Sequence, residues 1–216
     1  MTPPQTLVLP EDGDWRVRVF PNLYPALERQ EVVVHSRGHI RSIGECSDEE
    51  LELVAEAWRR RAADVPGYVF ALLNEGREAG ASRPHSHSQL VWLDDQPAAR
   101  ARPRGEPFLE RDGITATCPW ASRLPYETVI APAKRDPCRL QSPLLAPTLK
   151  LLAAIVRRLH ELEGPVPLNA WLEHDEHDWR VVLLPRLTIL AALELGAGIF
   201  INSVPPEEAA KHLSTV

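Results

Sequence analysis

The chain has 216 residues, of which 44% are hydrophobic and 25% are charged, as expected for a globular protein with a substantial core. Its 24 basic and 30 acidic residues give a net charge of −6, which argues against a nucleic-acid-coating protein because phosphate backbones require a concentrated basic face. It has no apolar run of about 18 residues, no secretory signal pattern and three widely spaced cysteines, so we expect a cytoplasmic protein without a membrane partner.

The first half of the chain combines strand patterns with one helix pattern. Alternating and β-branched residues predict strands at 16–20, 31–35, 68–73 and 85–93. Ser47 is suited to cap a helix over about 47–63, because acidic residues follow it and apolar residues then recur at helical spacing. A loop that contains two glycines, at 74–82, separates the last two strands.

The second half repeats this order after a linker rich in Pro, Ala, Arg and Gly at Asp94–Pro107. The patterns predict a helix at 143–162 and strands at 114–118, 128–131, 168–172 and 179–184. The order strand–turn–strand–helix–strand–loop–strand therefore occurs twice. This repetition predicts a tandem duplication of one α+β unit, with domains at 1–100 and 101–216. We expect Trp58, Trp171 and Trp179 to lie in the core, given their apolar neighbours.

The strand at 85–93 carries the most informative side chains. Alternate residues of a strand share a face, so His85, His87 and Gln89 lie together. Two imidazoles and a carboxamide are poor core material, but a neutral imidazole can attack phosphorus while neighbouring donors stabilise the developing charge. The preceding loop offers backbone N–H groups and the Ser82 hydroxyl to phosphate oxygens. A structural or surface role for the two histidines is the alternative.

The motif around these residues resembles the active-site signature of the galactose-1-phosphate uridylyltransferase branch of the histidine-triad superfamily. The matching pattern is Asn74-x-Gly76-x-x-x-Gly80-x-Ser82-x-Pro84-His85-x-His87-x-Gln89. Residues 18–27 and 184–210 are also similar to family segments, so the resemblance covers nearly the whole chain. It implies an α+β fold built as a tandem pair of histidine-triad-like domains, each a mainly antiparallel sheet with a long helix.

The resemblance implies a nucleotidyltransferase of carbohydrate metabolism. The named members of the family act in galactose metabolism. His87 would attack the α-phosphorus of a nucleoside diphosphate sugar, and a second sugar 1-phosphate would then take the nucleotide from His87. Gln89 would hydrogen-bond a phosphoryl oxygen, and hydrolytic relatives carry a histidine there. The implied partners are the nucleoside diphosphate sugar, the sugar 1-phosphate and a second copy in a homodimer. Phosphorolysis or hydrolysis of nucleoside diphosphate sugars or dinucleoside polyphosphates, and a non-catalytic nucleotide-binding module, are the alternatives.

The resemblance also assigns roles to residues outside the catalytic strand. Asn22 would contact the nucleotide, whereas Asn74, Gly76 and Ser82 would hold phosphate groups, Ser82 as part of the catalytic set. Glu194 would bind the hexose. The C-terminal domain would be degenerate and would contribute to the sugar-phosphate site.

A structural zinc ion is the cofactor that the resemblance implies, with His39, His85 and a CxxC pair as ligands. The pair would precede Thr2 and is absent from this chain, so either the chain starts after it or the site is metal-free. Cys46 is a candidate substitute, since tetrahedral zinc needs further ligands beyond two histidines.

The C-terminal half departs from the family pattern at several positions. Glu173 stands where the family has a histidine, and Asp178-Trp179-Arg180 replaces its His-Trp-His, which argues against a second metal site. Thr188 and Leu193 stand where galactose-specific members carry polar residues. These two positions leave the hexose and the acceptor open.

Overall fold

The computed structural model describes residues 4–98 and 103–215. These residues form one large unit of strands and helices, in which every pair of neighbouring strands is antiparallel. The strands are β1 (Leu7–Leu9), β2 (Val17–Pro21), β3 (Gln30–Val34), β4 (Tyr68–Glu75), β5 (His87–Leu93), β6 (Pro107–Arg111), β7 (Ile114–Thr117), β8 (Thr128–Pro132), β9 (Leu168–His174) and β10 (Trp179–Pro185). The α-helices are α1 (Asp48–Asp64), α2 (Leu145–Glu163) and α3 (Pro206–Leu213), with short helical turns at Ile43–Glu45, Arg77–Ala79, Arg139–Gln141 and Leu193–Ala197.

The ten strands form one sheet in the order β1-β2-β3-β5-β4-β9-β10-β8-β7-β6. Counted inward from its two edges, this order is the same for both halves: 1-2-3-5-4 and 6-7-8-10-9. The halves meet where β4 pairs with β9, through Leu72–Trp171 and Asn74–Asn169. The predicted boundary at residues 100 and 101 lies outside the described residues, and the division into two domains stays a prediction.

Helix α1 begins where the sequence predicts it, directly after Ser47. The Ser47 side chain accepts a hydrogen bond from the Glu50 N–H, and the Glu50 carboxylate accepts one from the Ser47 N–H, so both ends of a capping box are satisfied. Helix α1 buries Leu51, Val54 and Trp58 against the sheet. Within the described residues, no helix has the length and hydropathy needed to cross a membrane.

The sheet has a closed face, which packs against α1 and α2, and an open face opposite to it. Alternation along β4 makes the distinction: Val69 and Leu73 are buried in the core, whereas Phe70 and Leu72 point to the open face. Trp171 corrects one expectation, because it lies between Ala170 and Leu172 of the core and therefore points to the open face. The other two tryptophans are buried as expected.

A buried ion pair fastens helix α1 to the sheet. Arg61 donates through Nε and Nη2 to the two carboxylate oxygens of Glu31 at 2.8 and 2.9 Å. The two side chains are only 10% and 5% exposed. Two parallel charge-assisted hydrogen bonds in such a site fix the helix at a defined position above β3.

Candidate active site

His87 begins strand β5 on the open face, two residues later than the predicted start of that strand. It lies opposite Val34 of β3. The β4–β5 register pairs Leu73 with Ser88, so one further step places Asn74 on the other side of His87. Asn74 in turn pairs with Asn169 of β9. His87 therefore stands in a row of side chains that crosses from one half of the chain to the other.

The hydrogen bond of His87 determines which ring nitrogen is available for chemistry. Its Nδ1 lies 2.8 Å from the carbonyl oxygen of His85. A carbonyl oxygen only accepts, so Nδ1 carries the proton, and the neutral ring is left with a free lone pair on Nε2. The side chain is 9% exposed. A fixed imidazole with an unprotonated Nε2 has the properties of a nucleophile.

Gln89 is oriented by a neighbour on β3. It shares the face of His87 and lies between Val32 and Leu72 in the sheet. The Gln30 side-chain amide donates to Gln89 Oε1. Because that oxygen is engaged, the Gln89 amide nitrogen is left to donate to a ligand beside His87.

The 74–82 loop before β5 forms hydrogen bonds within itself and with Asn169 in the second half of the chain. The Gly76 carbonyl oxygen accepts from the N–H groups of Ala79 and Ala81 at 3.2 and 3.1 Å. Asn169 Nδ2 donates to Asn74 Oδ1 at 2.7 Å and to the Ala79 carbonyl at 2.8 Å. Ser82 follows this turn and is exposed. The loop thus brings Asn74, Gly76 and Ser82 to the same end of the open face as His87.

Gly76 is expected to tolerate no side chain. It has a φ of +82°, and a Cβ there would lie 2.7 Å from the Pro167 Cβ and 2.9 Å from the Pro167 Cα. We expect Gly76→Ala to lower the free energy of unfolding by roughly 2–4 kcal/mol, from backbone strain and overpacking together. Gly80→Ala is the matched control, since Gly80 has a φ of +86° with nothing within 4 Å, and backbone strain alone costs about 1 kcal/mol. Urea denaturation of both variants measures the difference, and equal losses would contradict the contact with Pro167.

Arg18 is a residue of this face that sequence reasoning missed. It lies opposite Val34, in the same row as His87. Its guanidinium carbon lies 4.5 Å from the ring centre of Trp15 and 5.7 Å from that of Phe20. Its Nε is buried without a hydrogen-bond partner, and no carboxylate of the described residues pairs with it. The alternating segment 16–20 was a signal, because it places residue 18 on the face opposite to the core.

A polar network lies on the closed face, directly behind His87. The buried His35 ring has its Nδ1 2.9 Å from Ser86 Oγ and its Nε2 2.9 Å from Ser88 Oγ. Trp58 Nε1 donates to Ser88 Oγ at 2.9 Å. Ser86 Oγ donates to Glu75 Oε1 at 3.1 Å. Burial lowers the pKa of His35 to about 3 and raises the pKa of Glu75 to about 7, so the surroundings favour the neutral form of each.

The described residues do not fit a four-ligand zinc site. The ring centres of His39 and His85 are 6.1 Å apart, and His85 Nε2 is 2.9 Å from the Ser36 carbonyl oxygen. Cys46 is buried in the hydrophobic core, where burial raises the pKa of its thiol. No group of three or more His, Cys, Asp or Glu residues within 4–98 and 103–215 is arranged to hold a metal ion. We therefore assign no step to zinc.

A cavity of about 640 Å³ extends along the open face, away from His87. Gln30 and Leu72 line its near end, and Trp171, Glu173 and Arg180 line the far end. Arg180 Nη2 lies 2.6 Å from Glu173 Oε2, so an ion pair occupies the positions where the family pattern has histidines. The volume is in the range of small-molecule sites in proteins.

Asn22 and Glu194 lie on segments other than the strand of His87 and make local hydrogen bonds. Asn22 follows the end of β2, where its Oδ1 accepts from the Tyr24 N–H at 3.1 Å. Glu194 lies in the helical turn Leu193–Ala197, and its carboxylate accepts from the Ala191 N–H at 2.9 Å. Hydrogen bonds from backbone N–H groups hold the pKa of Glu194 below its ordinary value, which keeps it charged. Among the described residues, His87, Gln89 and Asn74 are neighbours in the sheet, and no hydrogen bond or ion pair joins Asn22 or Glu194 to them.

Comparison with known proteins finds relatives that are similar to nearly the whole chain. Residues 19–97 match the family model of the galactose-1-phosphate uridyl transferase N-terminal domain. The galactose-1-phosphate uridylyltransferase of Thermotoga maritima is 25% identical, over 96% of this chain and 86% of the relative. Residues 19–97 are thus similar to the N-terminal domain of galactose-1-phosphate uridyl transferases, and nearly the whole chain is similar to the Thermotoga maritima enzyme.

A second relative is similar over the same extent. The ADP-glucose phosphorylase of Arabidopsis thaliana is 23% identical, over 99% of this chain and 78% of the relative. Its crystal structure with bound ADP-glucose superimposes with a TM-score of 0.87 at 20% identity, covering 100% of this chain and 87% of that one. The mixed fold with one large antiparallel sheet is therefore shared with that structure, and the two relatives named here are a nucleotidyltransferase and a phosphorylase.

Proposed function

We propose that the protein is a nucleotidyltransferase in which His87 carries the nucleotide as a covalent nucleotidyl-histidine. The observation that supports this most directly is the bond from His87 Nδ1 to the His85 carbonyl, which places the lone pair of the neutral ring on Nε2. In the first step Nε2 forms a bond to the α-phosphorus of a nucleoside diphosphate hexose, and the bond from that phosphorus to the bridging oxygen breaks. The hexose 1-phosphate leaves with the electron pair. In the second step an acceptor phosphate oxygen forms a bond to the same phosphorus, and His87 leaves neutral.

The surroundings of His87 suit the charge changes in this scheme. The ring becomes cationic when Nε2 bonds to phosphorus, and its Nδ1–H bond to a carbonyl oxygen strengthens as the charge appears. The Gln89 amide nitrogen is free to donate to a phosphoryl oxygen because Gln30 engages its oxygen. Asn74 and the 76–82 loop lie beside His87 and offer further donors, among them the Ser82 hydroxyl. We assign the nucleotide contact to Asn22 and the hexose contact to Glu194.

We propose a hexose 1-phosphate as the acceptor, and inorganic phosphate as the second candidate. The second candidate is favoured by the Arabidopsis ADP-glucose phosphorylase, whose similarity to this chain is comparable to that of the Thermotoga transferase. Thr188 and Leu193 also depart from the pattern of galactose-specific relatives. The chemistry at His87 is the same for both acceptors, so they differ only in what takes the nucleotide.

A trapping experiment tests the proposal. The protein is incubated with ADP-glucose or UDP-glucose labelled in the α-phosphate, and the acid-labile label that remains on the protein is mapped by peptide analysis. We expect label on the peptide that contains His87. Added hexose 1-phosphate should release the label as nucleoside diphosphate hexose, whereas added inorganic phosphate should release it as the nucleoside diphosphate. Tight nucleotide binding without label in any combination would instead identify a non-catalytic binding module.

Arg18 is expected to bind an anionic part of the donor. Among the described residues its Nε has no hydrogen-bond partner. Its strand lies two strand spacings from that of His87, so the two backbones are about 10 Å apart. We expect Arg18→Gln to raise KM for the nucleoside diphosphate hexose roughly tenfold, because a charge-assisted hydrogen bond to phosphate is lost. Arg16→Gln is the control, since Arg16 faces Glu49 at the surface. Equal KM values for the two variants would show that Arg18 does not bind the donor.

We propose a homodimer formed through the segment at 187–201. Apolar side chains of this segment are exposed, including Ile189 at 90% and Leu195 at 73%. Exposed apolar residues concentrated in one segment mark an interaction surface. We expect light scattering to give twice the monomer mass, and Ile189→Asp/Leu195→Asp to give the monomer mass. A monomeric wild-type protein would contradict the assignment.

A further inference from the structure

The network behind His87 has one consistent arrangement of protons. Trp58 only donates, so Ser88 Oγ accepts at that contact and keeps its own proton for another partner. At the other end, the Ser86 proton is committed to Glu75 Oε1. Ser86 Oγ can therefore only accept from His35, which places the His35 proton on Nδ1. Nε2 of the neutral ring then accepts from Ser88.

With a neutral His35, each contact from Trp58 Nε1 to Glu75 Oε1 thus pairs one donor with one acceptor. Burial, which lowers the pKa of His35 to about 3, disfavours a second proton on the ring. The end of the line is also fixed, because Glu75 Oε1 accepts from the Ile43 N–H at 2.5 Å as well. The paired donors and acceptors around His35 specify one arrangement of the groups they connect, because any other leaves a buried donor or acceptor of His35 or the two serines unpaired.

The two serines held by His35 are the residues immediately before and after His87. They point to the closed face, and alternation along the strand points His87 to the open face. The His35 ring bridges them at equal distances of 2.9 Å. The peptide unit on each side of His87 is therefore anchored from behind. The backbone also contributes, since the His35 N–H donates to the Ser86 carbonyl at 3.3 Å.

We infer that His35 is a positioning residue for His87, which it holds through Ser86 and Ser88 so that the nucleophilic Nε2 faces the ligand. The inference rests on the proposed role of His87 as nucleophile. His35 itself is buried on the other side of the sheet and touches no ligand. Its effect belongs in the chemical step rather than in binding, because displacement of a nucleophile by about 1 Å costs on the order of a hundredfold in rate.

Variants at position 35 test this on the full chain. His35→Phe keeps an aromatic ring but removes both hydrogen bonds, and we expect it to lower kcat roughly 10- to 100-fold with KM for the nucleoside diphosphate hexose changed less than about twofold. His35→Gln offers one donor and one acceptor, so kcat should lie between that of His35→Phe and that of the wild type. Trp58→Phe is the control, because it removes one buried hydrogen bond from the network but leaves both serines bonded to His35.

A measurement without substrate separates this inference from the proposed function. Nitrogen-15 shifts of the histidine rings report the tautomer directly, and we expect Nδ1–H for both His35 and His87 in the wild type, with a mixed tautomer at His87 in His35→Phe. If wild type carries no nucleotidyl label yet His87 loses its tautomer in His35→Phe, the positioning stands and the proposed function falls. If His35→Phe keeps wild-type kcat and the wild-type His87 tautomer, the positioning role is wrong. If His35→Phe unfolds, Ser86→Ala takes its place, and wild-type kcat together with the wild-type His87 tautomer in that variant likewise contradicts the positioning role.

Discussion

Replacing His87 with alanine is expected to abolish the nucleotidyl label and to lower kcat/KM for transfer by roughly 10⁴-fold or more. The covalent route requires a bond from His87 Nε2 to phosphorus, and His87 is the only histidine within strand β5. Binding contacts from Asn74 and Gln89 remain in this variant. The affinity for the nucleotide should therefore change far less than the rate, and the measurement is a comparison of kcat/KM with the equilibrium Kd for the nucleoside diphosphate hexose.

His177→Gln is the matched control for the loss of a histidine. His177 is exposed in the turn between β9 and β10, and its backbone rather than its ring holds that turn. We expect wild-type label and turnover. If His87→Ala retains turnover within tenfold of wild type, the acceptor attacks the donor directly and the covalent scheme is wrong.

The second large effect is on stability. Arg61→Met is expected to lower the free energy of unfolding by about 3 kcal/mol, because it leaves the Glu31 carboxylate buried with only the 3.3 Å contact to Arg29. The loss includes the contact of Arg61 with Asp64 at the end of α1. Urea denaturation at neutral pH, followed by far-ultraviolet circular dichroism, measures the change.

A double variant separates the ion pair from packing. Glu31→Met/Arg61→Met removes both charges and keeps apolar volume, so it should lose less stability than the sum of the two single variants. Arg60→Met is the control at the next position of α1, where the pair with Glu56 is 41% and 36% exposed and contributes well under about 1 kcal/mol. If Arg61→Met and Arg60→Met are equally stable, the buried pair does not fasten α1 to β3.

Much of the fold follows from local patterns that the structure confirms. The strands and both long helices lie within about two residues of their predicted bounds because alternation, helical spacing and the Ser47 cap are local signals. Strands β1 and β6 and helix α3 are not predicted by these patterns. They are short, and β1 and β6 are placed by pairing with β2 and β7, the next strands along the chain. Such pairing leaves little trace in a segment of three to eight residues.

The candidate site is predictable within its own strand but not across strands. The period of two along a strand is enough to place His87 and Gln89 on one face. Arg18 and Asn169 lie in the row of His87 only through the order and register of the sheet, which a sequence pattern does not encode. The expectation for Trp171 is wrong for a related reason: its apolar neighbours indicate a core, although alternate positions of that strand point in opposite directions.

The junction of β4 with β9 has a consequence for how this protein can be divided. Cutting the chain in the 94–107 linker would leave the eight residues of β4 as the rim of a half-sheet, with N–H and C=O groups that β9 now engages. Exposed strands of that length pair with whatever chain they meet, so an isolated first half would self-associate rather than remain monomeric. The isolated first half would also lose the hydrogen bonds that Asn169 donates to Asn74 and Ala79. The residues of the family signature are thus contiguous in sequence, yet the shape they need is supplied by the other half of the molecule.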